Sequence, residues 1–373
     1  MRLTAEQVRG RRLRRQLLDT PSHDVDPAGV AAALCGVHAQ VMSAAELAIG
    51  LRLAGATRTG VRAALWTDGT LVKAFGPRGT VHLLPRRDLA TWAAALSAVP
   101  PPPNNHPAHV RMTAEQTEEV VAAVAAATAD AALTIDELHE AVVAATGPWA
   151  GDLVMEAFQG KWPRWRQALP LAGLRGAVCF GPNRGRNVTY TNPGVRPVDG
   201  AAAVDEVVRR YLRAFGPATP AGLARWLAAP PGWARERFDA LAGDLTEVDV
   251  DGHRAWLLAG DAAEAGPARG VRLLPYFDAY AYAVTADPYP VFYPGRAAVR
   301  AKGNFQVLLV DGAVAGVWHQ RRSGRTLGLT VEALVPLSAR HRRELDEQVD
   351  RVGEILEGRP RLTLGPVTVG GHA

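Results

Sequence analysis

The chain has 373 residues, of which 48% are hydrophobic and 21% are charged. This length is enough for two or three domains with buried cores, and this hydrophobicity argues against disorder. The net charge of +5 is too small to identify a nucleic-acid partner by itself.

Several other classes of protein are disfavoured. No run of 18 apolar residues occurs, so we expect no membrane span. The N-terminal sequence MRLTAEQ lacks an apolar signal core, which predicts a cytoplasmic protein. Cys35 and Cys179 each lie among apolar residues, so we expect buried free thiols and no disulfide or cysteine-based zinc site. No metal and no cofactor is expected.

Four Ser/Thr-x-x-Glu/Gln patterns predict the first turns of helices. In such a capping box, side chains and backbone amides of two residues bond reciprocally at the helix N-terminus. The four pairs are Thr4/Gln7, Ser43/Glu46, Thr113/Gln116 and Thr134/Glu137. Helix is also predicted over residues 149–171, where Trp162 and Trp165 are expected in the core.

Groups of predicted helices are followed by a predicted β-hairpin about three times along the chain. This order is typical of a winged-helix unit. After about residue 262 predicted strands dominate, and a final amphipathic helix is predicted over 338–356. We therefore predict an α+β fold of three tandem winged-helix units and a C-terminal β-domain. The predicted boundaries are 1–99, 100–198, 199–262 and 263–373.

The first predicted helix is rich in arginine. Six arginines lie within residues 2–15, against the single acid Glu6. This pattern is typical either of a solvated helix face or of a surface that contacts phosphates.

A short segment between two predicted helices places His38 and Gln40 two residues apart. In an extended backbone, residues i and i+2 share a side, so the two side chains would point the same way. A histidine that accepts a proton and an amide that fixes orientation can hold one water for general-base hydrolysis. The same pattern also occurs where two satisfied polar side chains close a helix turn, so the residues alone leave both interpretations open.

Motifs in several parts of the chain carry a resemblance that no one of them carries alone. They are His38-Ala39-Gln40, Arg78-Gly79-Thr80-Val81-His82, LLPYFDAY at residues 273–280, and Gly303-Asn304-Phe305 before Val310-Asp311-Gly312 and Gly316-Val317-Trp318. In this order, over nearly the whole chain, they resemble the AlkZ family of winged-helix DNA glycosylases.

The resemblance implies a C-shaped arrangement around duplex DNA and the removal of N7-alkylated guanine. Family members act on bulky natural-product adducts and, in one branch, on interstrand cross-links, so self-resistance to an alkylating antibiotic is an expected role. The family's catalytic element is Gln, an apolar residue, then Gln or Asp, and here it corresponds to His38, Ala39 and Gln40. The first position departs from the usual Gln, as in some members, and we expect His38 and Gln40 to position the water with an altered substrate range. A monofunctional enzyme acting as a monomer is predicted.

Residues of two hairpins are predicted to contact DNA. The late hairpin tip either enters the minor groove or holds phosphates, unless it is an ordinary basic turn. The resemblance places two residues of the first wing near the cleft, although His82 fits a half-buried strand residue equally well. The predicted contacts are Arg78, His82, Arg321, Arg322 and Arg325.

Asp278 and Tyr280 by themselves suggest a different kind of enzyme, in which a carboxylate is the catalytic group. Within the family pattern they are instead expected to brace the β-domain. A different class of function, a non-catalytic winged-helix transcription regulator, also fits the predicted units. Three such units without an evident ligand-binding or dimerisation domain argue against that alternative.

Overall fold

The structure is a computed structural model that describes residues 1–101, 103–157, 160–196, 198–261, 266–284, 300–301 and 305–369, with the backbone alone for 282–284. Gly303, Asn304 and the predicted boundary at 262/263 lie outside the described residues. The fold is α+β, as predicted. None of the described helices combines the length and apolar character needed to cross a bilayer.

Helices precede hairpins along the first two thirds of the chain, and strands dominate the last third. The described helices are α1 (Ala5–Arg15), α2 (Pro27–Ala33), α3 (Met42–Gly50), α4 (Arg58–Trp66), α5 (Leu89–Ser97), α6 (Ala114–Ala127), α7 (Ile135–Thr146), α8 (Leu169–Leu174), α9 (Gly200–Phe215), α10 (Pro220–Leu227), α11 (Pro231–Ala240), α12 (Ala279–Val284) and α13 (Ala339–Ile355). The described strands are β1 (Arg2–Leu3), β2 (Val37–His38), β3 (Leu71–Phe75), β4 (Val81–Pro85), β5 (Leu133–Thr134), β6 (Leu153–Glu156), β7 (Lys161–Pro163), β8 (Cys179–Arg184), β9 (Asn187–Thr191), β10 (Leu245–Val250), β11 (His253–Leu258), β12 (Val271–Leu274), β13 (Gln306–Val310), β14 (Ala313–Ser323), β15 (Thr326–Ala333) and β16 (Arg359–Leu364).

The hairpins of the first two predicted units join in one six-stranded sheet. Its strand order is β2-β4-β3-β8-β9-β5, and the two hairpins meet where Lys73 of β3 pairs with Phe180 of β8. Strand β2, which carries His38, lies at one edge of this sheet and pairs with β4. The predicted boundary at residue 99 therefore falls between two groups of strands that share a sheet.

The N-terminal segment packs against the later parts of the chain. Strand β1 pairs in parallel with β10 of the predicted third unit. Val8 and Leu13 of α1 lie in one core with Val248 of β10 and Leu308 of the C-terminal sheet. The first helix thus joins regions that lie more than 200 positions further along the chain.

The arginines of α1 form contacts inside the protein. Arg12 donates from Nε to the Phe215 carbonyl at 2.7 Å and from Nη2 to the Pro217 carbonyl at 3.0 Å. Arg11 and Arg15 both form ion pairs with Asp261. Arg11 and Arg12 are buried, so for these two residues both the prediction of a solvated face and the prediction of a phosphate-contacting surface are wrong. Arg15 stays partly exposed while its guanidinium pairs with Asp261.

The C-terminal part is a five-stranded sheet with the order β12-β13-β14-β15-β16. Its pairs are antiparallel except the last, in which β16 runs parallel to β15. Leu345 and Val352 of α13 share a core with strand residues such as Val331. Trp318 of β14 is buried and donates from Nε1 to the Leu274 carbonyl at 2.8 Å, which fixes the end of β12.

The predicted helix over residues 149–171 is wrong. This segment contains the two-stranded sheet of β6 and β7, and α8 begins only at Leu169. Gly160 adopts φ +87° and Pro163 lacks a backbone N–H, so neither residue suits a helix interior. Trp162 therefore lies in β7 with 44% of its surface exposed, whereas Trp165 is fully buried, as predicted.

The capping box predicted at Ser43/Glu46 does not form. Helix α3 begins at Met42, and its first turn has no side-chain cap. Glu46 is fully buried and pairs with Arg62 and Arg58, because a buried carboxylate gains more from guanidinium groups than from a backbone amide. The other three predicted boxes are confirmed.

The two cysteines are buried free thiols, as predicted. Burial raises the pKa of Cys35 to about 12 and the pKa of Cys179 to about 11. Both thiols therefore stay protonated near neutral pH, and neither suits a nucleophilic role.

Candidate active site

His38 ends β2 at the edge of the six-stranded sheet. The backbone N–H of Ala39 donates to the Val81 carbonyl at 2.8 Å, so the pairing with β4 continues past His38. Ala39 is fully buried, while His38 is half-buried and Gln40 is exposed. The accessible surface of this segment therefore includes part of His38 and the side chain of Gln40, which lies in the bend after β2. That the two side chains point the same way stays a prediction.

His82 is the partner of His38 across the strand pair β2–β4. It is only 4% exposed, and its Nδ1 lies 2.9 Å from the Thr80 carbonyl, so Nδ1 carries the hydrogen and Nε2 is unprotonated. Burial is the main cause that lowers the pKa of His82 to about 3, against a smaller opposing effect of the hydrogen bond to Thr80. The rings of His38 and His82 are 5.3 Å apart between centroids, at 78°. The predicted DNA contact of His82 stays a prediction, and its burial favours a role inside the site.

Phe277 also contacts His38, although sequence reasoning did not single it out. Their ring centroids are 4.3 Å apart, with 41° between the ring planes. Phe277 lies in the loop between β12 and α12 and adopts φ +57°, which is uncommon for a residue with a bulky side chain. The available signal was the order of the motifs, since the LLPYFDAY segment and the His-Ala-Gln segment meet here.

Asp278, the next residue, forms a fully buried ion pair with Arg52. Arg52 Nη1 and Nη2 each lie 2.8 Å from a different carboxylate oxygen. Arg52 also donates to the carbonyls of Gln16 at 2.8 Å and Ala48 at 2.7 Å. Asp278 Oδ1 accepts from the backbone N–H of Tyr280 at 3.0 Å. The pair therefore connects the loop of Phe277 to the N-terminal region.

Tyr280 is buried in the core shared by α1 and the C-terminal sheet. Its hydroxyl donates to the Gly312 carbonyl at 2.8 Å, in the turn between β13 and β14. Asp278 and Tyr280 are both engaged within the protein, which favours a bracing role over a catalytic one.

Arg78 lies in the turn between β3 and β4 and has φ +64°. Its Nη1 donates to the Trp226 carbonyl at 2.8 Å, which attaches the first hairpin to α10. The predicted contact between Arg78 and DNA stays a prediction.

The three arginines of the late hairpin are exposed where β14 and β15 meet. Arg322 donates to the Leu356 carbonyl just after α13, so this side chain also anchors the hairpin. Arg321 and Arg325 project from the same tip, in a different sheet from His38. In the part of the chain that the structure describes, no three His, Cys, Asp or Glu side chains are gathered as metal ligands would be.

Comparison with known proteins defines the class, which is that of the DNA glycosylases. A family model described as "DNA glycosylase AlkZ-like" matches residues 31–355, a range that includes His38, Gln40 and Phe277. The chain belongs to this AlkZ-like family of DNA glycosylases and is an enzyme of that class. The alternative of a transcription regulator is accordingly not favoured.

A known protein sequence and a solved structure, both from Streptomyces sahachiroi, illustrate the similarity. The interstrand DNA cross-link repair glycosylase is 33% identical over 343 residues, which are 86% of this chain and 88% of that protein. The solved structure of the DNA glycosylase AlkZ has a TM-score of 0.81 at 28% identity, and the match covers 98% of this chain and 100% of that one.

Proposed function

We propose that the protein hydrolyses the N-glycosidic bond of N7-alkylated guanine in duplex DNA, with a water held by His38 and Gln40. The observation that carries this proposal is the partial accessibility of His38 at the end of β2 and the exposure of Gln40 two residues later, in a chain of the DNA glycosylase class. His38 is only partly accessible, which suits a group that must meet one water and not bulk solvent.

The chemistry needs no strong acid. Alkylation at N7 gives the guanine a positive charge, so the C1′–N9 bond breaks with its electron pair passing to the base, which leaves neutral. The water oxygen forms the new bond to C1′. One water proton passes to an unprotonated ring nitrogen of His38, and the Gln40 amide oxygen accepts a hydrogen bond from the same water. A positioned general base of this kind contributes roughly 10²- to 10⁴-fold to the rate.

Interstrand cross-links through N7 of two guanines fall within the same proposal. Each linked guanine carries the positive charge that makes it a good leaving group, so one hydrolysis releases one strand. A relative of 33% identity is named as an interstrand cross-link repair glycosylase, which supports this extension. Protection of a cell against an alkylating antibiotic is the role that we propose for such an activity.

The proposed binding mode uses three winged-helix units and the C-terminal domain as one C-shaped surface around DNA, with the protein as a monomer. Its support is the order of elements, since β3–β4, β8–β9 and β10–β11 each follow a group of helices. The late hairpin, with Arg321, Arg322 and Arg325, would contact the DNA backbone or the minor groove.

The test is release of alkylguanine from an adducted duplex oligonucleotide under single-turnover conditions. We expect His38→Ala and Gln40→Ala each to slow release, His38→Ala by roughly 100-fold or more. The matched control is His23→Ala, because His23 is an exposed histidine outside the site. Unchanged release in both site variants would refute the proposal, and a panel of adducts from methyl to bulky groups defines the range.

A further inference from the structure

We propose that Phe277 and His82 are positioning residues for His38: both rings contact its imidazole and restrict its orientation, and the Arg52–Asp278 ion pair keeps Phe277 in place. This inference rests on the proposed function, because both residues act through His38. It gives the loop after β12 a role in positioning His38, although β12 and the strand of His38 belong to different sheets.

The two ring contacts come from different elements, since His82 lies in β4 and Phe277 in the loop after β12. Phe277 tilts over His38 at 4.3 Å, and His82 meets it edge to face at 5.3 Å and 78°. These separations are near the range in which aromatic rings attract each other. A half-buried histidine on an edge strand would otherwise sample several side-chain rotamers. Contacts with two rings restrict the orientation of the imidazole, as a base that must meet one water requires.

The backbone of Phe277 indicates that its position is imposed by its surroundings. A φ of +57° is unfavourable for a residue with a bulky side chain, and such conformations persist where the structure around them fixes them. The contact that fixes Phe277 is the ion pair of the next residue, Asp278, with Arg52. Asp278 is buried, is bound by two nitrogens of Arg52, and accepts from the Tyr280 N–H. The unfavourable conformation thus occurs at the residue that touches His38.

His82 is also fixed by its surroundings. Its Nδ1–H donates to the Thr80 carbonyl, and two glycines leave room for the ring. A Cβ added to Gly76 would lie 2.7 Å from His82 Nδ1, and one added to Gly36 would lie 3.4 Å from His82 Cδ2. The ring therefore fills a confined, buried space beside His38.

The experiment is a double-mutant cycle with the full chain and adducted duplex DNA. We expect Phe277→Ala to lower the single-turnover excision rate by roughly 10- to 100-fold, the size of effect that follows a small misplacement of a catalytic group. The Kd for the same DNA should change by less than about threefold, and Phe277→Tyr should regain most of the rate. In a His38→Ala background, Phe277→Ala should cause no additional loss. His82→Leu should likewise lower the excision rate with little change in Kd, and it should cause no additional loss in the His38→Ala background.

The control is Phe238→Ala, which removes a buried ring paired with Trp256 at 5.8 Å and does not touch His38. Phe238→Ala should lower stability while the folded protein keeps its excision rate. If Phe277→Ala does not fold, Phe277→Leu replaces it in the cycle, because it retains most of the apolar volume. NMR of the free protein gives a second readout, since loss of the Phe277 ring should shift the ring protons of His38 downfield.

The outcomes separate the two proposals. If His38→Ala excises normally, His38 is not the general base and the positioning role fails with it; if Gln40→Ala also excises normally, the proposed function fails as well. If His38→Ala is inactive but Phe277→Ala keeps the normal rate, or the two losses multiply in the double variant, the positioning role alone is overturned. A non-additive cycle together with the shift of the His38 ring protons supports it.

Discussion

Arg52 and Asp278, 226 positions apart in the sequence, form a fully buried ion pair in which both N–O distances are 2.8 Å. Arg52 follows α3, the helix just after the His-Ala-Gln segment, and Asp278 precedes α12. The pair therefore connects the segment of His38 and Gln40 to the loop of Phe277. Its loss should affect both stability and the geometry of the candidate site.

We expect Asp278→Asn to lower the free energy of unfolding by about 3–5 kcal/mol, because it leaves the Arg52 charge buried without a counter-charge. Urea titration followed by circular dichroism measures this change. The matched variant is the double substitution Arg52→Met with Asp278→Leu, which removes both charges and should recover much of the loss. A single-variant loss below about 1 kcal/mol would contradict the structural importance of the pair.

Tyr280→Phe tests the contact between α12 and the β13–β14 turn. The substitution keeps the ring but removes the hydroxyl that donates to the Gly312 carbonyl inside the core. We expect the free energy of unfolding to fall by about 0.5–1.5 kcal/mol, the usual worth of a buried hydrogen bond. Equal stabilities of the two proteins would mean that the hydroxyl does not brace this turn.

His82 should make stability depend on pH in the acidic range. Burial lowers the pKa of His82 to about 3, from 6.5 for an ordinary histidine, so between these values the unfolded chain binds a proton that the folded chain does not. The free energy of unfolding should therefore fall as the pH falls below about 6.5, by roughly 2 kcal/mol between pH 7 and pH 5, and this contribution should be constant above neutrality.

The measurement for this prediction is a series of urea titrations from pH 5 to pH 8. His82→Leu removes the titrating group, so its stability should vary less over the same range. If the wild-type protein and the variant show the same pH dependence, the buried neutral histidine is not its origin.

The late hairpin offers a test of DNA contact that does not depend on excision. We expect Arg321→Gln and Arg325→Gln each to weaken binding to undamaged duplex DNA. If each arginine meets one phosphate, each substitution should reduce the slope of log K against log salt by about 0.9. Arg322 is less suitable, since its bond to the Leu356 carbonyl also anchors the hairpin. Fluorescence anisotropy at several salt concentrations measures both quantities.

The matched control is Arg254→Gln, an exposed arginine of β11 that pairs with Glu247. It removes the same charge at a site assigned no DNA contact, so affinity and salt slope should stay close to those of the wild-type protein. An equal loss for Arg254→Gln and Arg321→Gln would indicate a general charge effect and not a hairpin contact.

Elements set by contacts between near neighbours were predictable from the sequence. The capping boxes at Thr4, Thr113 and Thr134 formed because both bonds of each box lie within one helical turn. The hairpin at Asp311-Gly312 likewise follows from its turn residues, which both adopt positive φ. The α+β class followed from the order of such elements.

What the sequence could not show depends on distant partners. Glu46 does not form its predicted capping box, because Arg58 and Arg62 of α4 lie beside its carboxylate and pair with it. No pattern in the neighbouring sequence predicts that two hairpins join in one sheet through Lys73 and Phe180. At the candidate site the His-Ala-Gln segment was found from the sequence, whereas the contact of Phe277 with His38 bridges elements of two sheets and required the fold.

The place of α1 in the fold has a consequence for synthesis of the chain. Val8 and Leu13 leave the ribosome among the first residues, but their core partners in β12 and β13 follow only after about three quarters of the chain has been made. During that interval the core around α1 lacks the residues of the C-terminal sheet, although Leu47 and Leu51 of the same core are already made, so the nascent chain presents part of this apolar surface to chaperones and to other nascent chains. Completion of the C-terminal sheet is thus the step that closes the N-terminal end of the molecule.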